Sequence, residues 1–296
     1  MLRWRLLMSC LLIPALIALF AADQNLGRPA TLLAAFCALV SLRSAWELSE
    51  LLTVRNFRPS FHLVGPLAVI VALFGWLHLH LQSNYPITVL HSLGFIAAAI
   101  AAAFLILLTH EAFRFDSPGN SMESLGAHLI IILYAGALTA LTAQLRWFPR
   151  AELGYFSLAS VIVCVKCGDT CAYTFGRLWG KRKLTPKLSP GKTGMGFVGA
   201  LVGSTTGAWL WLNFAGQLFQ AKPQAAQLPI VIAYGLSIGI AGLVGDLCES
   251  LIKRDVGKKD ASAILPGFGG LLDLVDSPLY AGPIALAWWI LLPPAA

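Results

Sequence analysis

Gly245-Asp246-Leu247-Cys248-Glu249-Ser250-Leu251-Ile252-Lys253-Arg254 opens the stretch that decides the reading of this chain. It continues Asp255-Val256-Gly257-Lys258-Lys259-Asp260 and closes Leu265-Pro266-Gly267-Phe268-Gly269-Gly270-Leu271-Leu272-Asp273-Leu274-Val275-Asp276-Ser277. Apolar sequence flanks it on both sides. Only 12% of the chain is charged, so so many acids and bases in one place form an unusual concentration. Asp246, Glu249, Ser250 and Lys253 stand at i, i+3, i+4 and i+7, which is one face of a helix. Asp273 and Asp276 are three apart and share a face if their segment is helical. The loop between is basic, and its glycines and Pro266 permit tight turns and close backbone approach. Carboxylates at two helix ends with such a loop between them could hold a divalent cation and a polyphosphate. Magnesium suits this pattern, because it is held by one or two carboxylates together with substrate phosphates.

A charge run between membrane helices is ordinarily a solvated loop facing lipid headgroups. That accounts for Lys253, Arg254, Lys258 and Lys259. It does not account for Asp246, Asp273 and Asp276, which are embedded in apolar flanks where acids are costly and point to function.

The stretch resembles the C-terminal pattern of the phosphatidate cytidylyltransferases, or CDP-diacylglycerol synthases. Ser250, Lys253, Arg254, Lys259, Asp260, Pro266, Gly267, Gly269, Gly270, Asp273, Asp276 and Ser277 match that pattern. Phe268 stands where the family usually has His, and Leu274 where it usually has Arg.

Outside this stretch the chain is apolar. Of its 296 residues, 57% are hydrophobic. Such a composition excludes an ordinary soluble domain and predicts an all-α polytopic integral membrane protein. Its length accommodates about nine transmembrane helices of roughly 20 residues with short loops. The apolar segments fall near 1–22, 30–52, 63–81, 88–109, 126–146, 153–175, 196–216, 228–252 and 271–292. A first helix with a cytoplasmic N-terminus is preferred over a cleaved signal peptide, because further spans follow at once. No second domain is expected: 1–296 reads as a single transmembrane domain, its motif-bearing part at about 166–277. In the second segment Arg43 and Glu47 are four apart and can pair, reading as a neutralised polar stripe.

The formal charge is +7. In a membrane protein this marks cytoplasmic loops rather than nucleic-acid binding. With the N-terminus inside, the inner regions collect Arg3, Arg5, Arg55, Arg58, Arg114 and the bases of 177–192 and 253–259, whereas the outer loops hold only Arg28, Arg146, Arg150 and Lys222. This asymmetry places both basic loops in the cytoplasm. Cys164 and Cys167 form a C-x-x-C, but no second ligand pair follows at zinc spacing, and packing in a membrane helix is the better reading. The six histidines form no metal-binding helix motif and read as packing or interfacial residues.

A second constellation spans 166–196. Lys166 and Asp169 sit three apart in an apolar helix, as a self-neutralising pair or a functional one. Asp169 and Tyr173 share a face. Ser189-Pro190-Gly191-Lys192-Thr193 has the look of a P-loop, but Pro186 stands where the first glycine is needed and no strand is expected before it. A looser phosphate-binding loop fits better: glycine amides, two hydroxyls and a lysine can cradle an oxyanion. This region also resembles the cytidylyltransferase family, with matches at Asp169, Thr170, Ala172, Tyr173, Gly176, Arg177, Gly180, Lys181, Lys183, Leu184, Pro186, Ser189, Pro190, Lys192, Thr193 and Gly196; Met195 replaces the usual Glu.

The resemblance implies a transferase of the cell (inner) membrane that makes CDP-diacylglycerol and pyrophosphate from CTP and phosphatidate. It also implies magnesium, with room for a second cation, and a homodimer. Asp246 and Asp273 are the expected metal ligands, with Asp276 as a third carboxylate. Lys253 and Lys259 join these acids as expected catalytic residues. Ser189, Lys192, Thr193, Asp169, Tyr173 and Arg254 are the expected substrate contacts. A CTP-dependent lipid kinase, or a cytidylyltransferase for another lipid phosphate, is the alternative enzyme. An ion-coupled transporter is the alternative class, but it predicts symmetry between halves, and the charged motifs cluster in one half.

Overall fold

Apolar segments of this length leave no water for their backbone groups inside a membrane, so each closes its hydrogen bonds on itself as a helix. The computed structural model describes residues 2–295 except 28, 55, 56, 58, 82–88, 149–152, 220–225 and 263–268. Its helices are α1 (Leu2–Leu26), α2 (Thr31–Thr53), α3 (Phe61–Phe74), α4 (Val89–Phe113), α5 (Ser121–Ile131), α6 (Leu138–Gln144), α7 (Gly154–Trp179), α8 (Gly194–Phe214), α9 (Leu228–Asp255) and α10 (Leu272–Leu291). A 3₁₀ segment extends α3 to Leu79, and a π-turn over Ile132–Ala137 joins α5 to α6. Among the described residues, eight helical segments are long and apolar enough to cross a membrane; α5 and α6 form one of them, Ser121–Trp147. The ninth expected segment is α1, whose described apolar part, Cys10–Leu26, is shorter. The fold is therefore the all-α membrane architecture expected. One addition is a short antiparallel hairpin, β1 (Lys183–Thr185) with β2 (Ser189–Thr193), in what reads from sequence as a loop.

The chain packs as two compact units. One comprises Met1–Gln144 and Asp255–Leu274, the other Leu145–Arg254 and Val275–Ala296. The first is built on α2, α3, α4 and the α5–α6 span, with Leu48, Val64, Ala68, Val71, Leu107 and Ile131 buried. The π-turn lets Gly136 press against α3; a Cβ there would lie 2.8 Å from the Ala68 carbonyl oxygen. α2 starts after Ala30, which has φ 49° and offers no capping side chain. Its free amides are served instead by Asp23, fully buried, whose Oδ1 accepts from Leu32 N at 2.7 Å and Leu33 N at 3.4 Å. A carboxylate at a helix N-terminus also opposes the helix dipole.

In the second unit, α7 and α8 meet backbone to backbone. Gly199, Gly203 and Gly207 repeat every fourth residue along α8, the small-residue pattern that lets membrane helices approach closely. A Cβ on Gly199 would stand 2.5 Å from the Cys171 carbonyl oxygen, and one on Gly203 would stand 2.4 Å from that of Cys167. Cys167 and Cys171 thus pack against the glycine seam, and Cys164 is buried. α9 approaches α8 in the same way, with Gly235 against Thr205 and Gly239 against Ser204. Two polar pairs here are joined between helices, as burial favours: Ser160 and Tyr234 hydroxyls are 2.6 Å apart, and Trp288 Nε1 donates to Ser237 Oγ at 2.8 Å.

Candidate active site

The acids of the second unit converge because α9 and α10 touch where they carry them. Gly245 has no room for a side chain: a Cβ would lie 2.6 Å from Tyr280 Cβ and 3.3 Å from Ser277 Cα. The residue after Gly245 is Asp246, and the residue before Ser277 is Asp276. Asp246, Glu249 and Asp276 each present a carboxylate oxygen, and these atoms all lie within 4.8 Å of one another. Glu249 is 2% exposed and Asp276 4%, whereas the Asp246 side chain is 45% exposed, so the group is open on the Asp246 side only.

Two lysines face the acids. Lys192, at the end of the hairpin, places Nζ 2.8 Å from Asp246 Oδ2 and also donates to the Leu243 carbonyl at 3.3 Å. Lys253, one turn beyond Glu249 on α9, places Nζ 2.5 Å from Glu249 Oε2. Three carboxylates gathered in a largely dehydrated place repel one another strongly when charged, and the two ammonium groups answer part of that charge. The donor set fits a hard cation. An octahedral magnesium ion holds its oxygen ligands roughly 3 to 4 Å apart, which donors gathered within 4.8 Å of one another can meet, and all three donors are carboxylates.

Thr193 is the N-cap of α8. It is 5% exposed, and its Oγ1 accepts from Gly196 N at 3.0 Å. A Cβ on Gly176 would approach that oxygen to 3.1 Å and one on Gly180 to 2.6 Å, so the motif glycines make the space it occupies. Ser189 begins β2 and is partly exposed. On α7 the expected pair forms, Lys166 Nζ to Asp169 Oδ2 at 3.4 Å, both about half-exposed. Tyr173, on the same face and exposed, accepts from Arg177 Nη1 at 2.9 Å.

Asp273 belongs to the first unit. Its Oδ2 accepts from Gly270 N at 2.6 Å and Ala261 N at 3.0 Å, closing the loop that precedes α10. Gly269, at φ 101°, lies against the same carboxylate. Lys259 and Arg254 are exposed, and Leu274 is partly buried in the first turn of α10. Pro266, Gly267 and Phe268 lie outside the described residues.

The structure therefore brings Asp246, Asp276, Lys192 and Lys253 together within one unit. It adds Glu249, which sequence reasoning placed on the Asp246 face without giving it a role; its i+3 spacing from Asp246 was the available signal.

The cytidylyltransferase family model matches residues 3–292. The phosphatidate cytidylyltransferase of Haemophilus influenzae is 31% identical over 182 residues, 62% of this chain and 62% of that protein. The phosphatidate cytidylyltransferase of Bacillus subtilis is 32% identical over 256 residues, 84% of this chain and 86% of that protein. That of Staphylococcus saprophyticus is 43% identical over 136 residues, 46% of this chain and 49% of that protein. The chain thus spans less than two thirds of the Haemophilus relative and most of the Bacillus one.

Proposed function

This chain belongs to the cytidylyltransferase family, and from that premise we propose that it makes CDP-diacylglycerol and pyrophosphate from CTP and phosphatidate. The observation that carries this reading is the group of three carboxylates opposed by Lys192 and Lys253, in a chain with eight membrane-length apolar helices. One oxygen of the phosphatidate phosphate attacks the α-phosphorus of CTP and forms the new P–O bond. The bond from that phosphorus to the bridging oxygen breaks, and pyrophosphate leaves with the electron pair. The attacking phosphate is already an anion, so no strong general base is required. The obstacle is the repulsion between two polyanions, which the site must neutralise while holding them in line.

Asp246, Asp276 and Glu249 would hold a divalent cation, which on this donor set is magnesium. Once bound, it would supply positive charge against the phosphate oxygens. Lys192 and Lys253 hold two of these acids in place and add positive charge. Lys259 and Arg254, both exposed, and the hydroxyls of Ser189 and Thr193 are the further phosphate contacts of this reading, with Asp169 and Tyr173 on the substrate side. A ligand role for Asp273, a second cation, a homodimer and a place in the cell inner membrane with cytoplasmic basic loops complete it. Residues 1–296 act as one catalytic domain: the family match covers nearly the whole chain, and α10 contributes to both units.

The test is incubation of detergent-purified protein with labelled CTP, phosphatidate and magnesium. The expected products are CDP-diacylglycerol and pyrophosphate. A phosphorylated lipid with released CDP would make the protein a kinase. Absence of any product from the unmodified protein, restored by Leu274→Arg with Phe268→His, would show that these two departures abolish the reaction.

A further inference from the structure

Glu47 lies in α2, more than 200 residues before the motif it touches, and it is 1% exposed. A buried carboxylate in an apolar helix is unfavourable unless its charge and lone pairs are answered. Arg43, one turn earlier, answers the charge, with Nη2 3.0 Å and Nε 3.1 Å from Glu47 Oε1. The remaining partners all come from the motif stretch. Ser262 Oγ donates to Oε1 at 2.9 Å, Leu271 N to Oε1 at 3.1 Å, and Leu272 N to Oε2 at 2.8 Å. Leu271 and Leu272 carry free amides at the start of α10, so Glu47 is the N-terminal cap of that helix, supplied from another helix.

A second observation is independent of these bonds. A Cβ on Gly270 would lie 2.4 Å from Glu47 Oε2 and 2.8 Å from its Cδ. The second glycine of the motif's Gly-Gly pair is therefore needed because this carboxylate occupies the space.

We infer that the Arg43–Glu47 pair is a positioning device for the reaction: it ties both flanks of residues 263–270 to one carboxylate and sets where α10 begins. Asp273, in the first turn of α10, shares Gly270 with this clamp through its own bond to Gly270 N. α10 then carries Asp276 one turn beyond the capped amide of Leu272. Glu47 touches no reacting atom in this arrangement; it acts by fixing the start of α10, the helix that bears Asp273 and Asp276. The inference rests on the proposed transferase activity.

Two readouts separate the clamp from the activity. Glu47→Gln keeps the shape but leaves one acceptor oxygen where Arg43, Ser262, Leu271 and Leu272 all donate. Hydrogen exchange at residues 269–273 should accelerate at least about tenfold, because the Leu271 and Leu272 amides, each on its own carboxylate oxygen, are left with one acceptor between them. In CTP and phosphatidate kinetics, kcat should fall about 10- to 100-fold, as for a small misplacement of catalytic groups, with KM for CTP changed less than about twofold. Ser262→Ala should move both readouts the same way by a smaller factor. Ser262→Ala and Gly270→Ala leave α2 intact and carry both readings should Glu47→Gln fail to accumulate in the membrane. Unchanged exchange would overturn the clamp. Faster exchange with unchanged kcat would overturn its service to the reaction. A wild-type protein without transferase activity would overturn the proposed function instead, and exchange would still read the clamp.

Discussion

Glu249 and Lys253 are a buried ion pair at the edge of the candidate site, and their worth differs by half and whole. Removing one partner leaves the other charge buried without its counter-ion, whereas replacing both by apolar residues removes the desolvation problem. Lys253→Met should therefore destabilise the protein by about 3 to 5 kcal/mol, read as a lower unfolding temperature in detergent. Adding Glu249→Leu should recover most of that loss while leaving turnover low, since Glu249 is one of the three converging carboxylates. A double variant with wild-type turnover would reduce the pair to packing. Asp246→Asn and Asp276→Asn each keep size and remove a charged donor. Turnover should drop at least about 100-fold with normal membrane insertion, in line with the loss of a preorganised electrostatic contact. Asp273→Asn separates two roles. As a cation ligand Asp273 would shift the magnesium titration; as a loop tie it would lower activity at every magnesium concentration.

Helix α8 shows why the same residue type matters at one position and not at another. Gly203 faces the Cys167 carbonyl with no room for a Cβ, whereas a Cβ on Gly94, at an exposed position of α4, meets nothing within 4 Å. Gly203→Ala should destabilise by about 1 to 3 kcal/mol through overpacking. Gly94→Ala should be neutral or stabilise by up to about 1 kcal/mol, because alanine loses less backbone entropy in a helix. Thermal unfolding of the two variants side by side checks the contrast, and equal effects would remove the close seam between α7 and α8. The hairpin belongs to the same element. It delivers Lys192 to Asp246 and ends in the Thr193 cap, so the start of α8 and the basic side of the site are set by one turn of chain.

For the molecule as a whole, the test is orientation. The excess of Lys and Arg in the expected inner loops predicts that the hairpin and the loop after α9 face the cytoplasm, where nucleotides are found. Single cysteines at Lys187 or Lys258, in a background without the native cysteines, should resist an impermeant thiol reagent in intact cells and react in opened ones. Labelling of intact cells would reverse the orientation. The result also bears on the proposed function, because a site on the outer face would have no access to CTP.

The sequence by itself determined the membrane-helical architecture, since the length and apolarity of a segment decide whether its backbone can be satisfied within a bilayer. It also marked Asp246, Asp276, Lys192 and Lys253, because charges are rare in such a chain and their spacing sets a helical face. Only the tertiary structure decided which of these meet. Whether Asp246 reaches Asp276 depends on Gly245 letting α9 lie against α10, and no local pattern reports that approach. The role of Glu47 was equally hidden. From sequence it is half of an i, i+4 pair with Arg43, and that pair does form, but its other donors lie more than 200 residues away. A carboxylate's second oxygen and remaining lone pairs leave no trace in spacing. They are assigned only when folding brings the amides of Leu271 and Leu272 within reach.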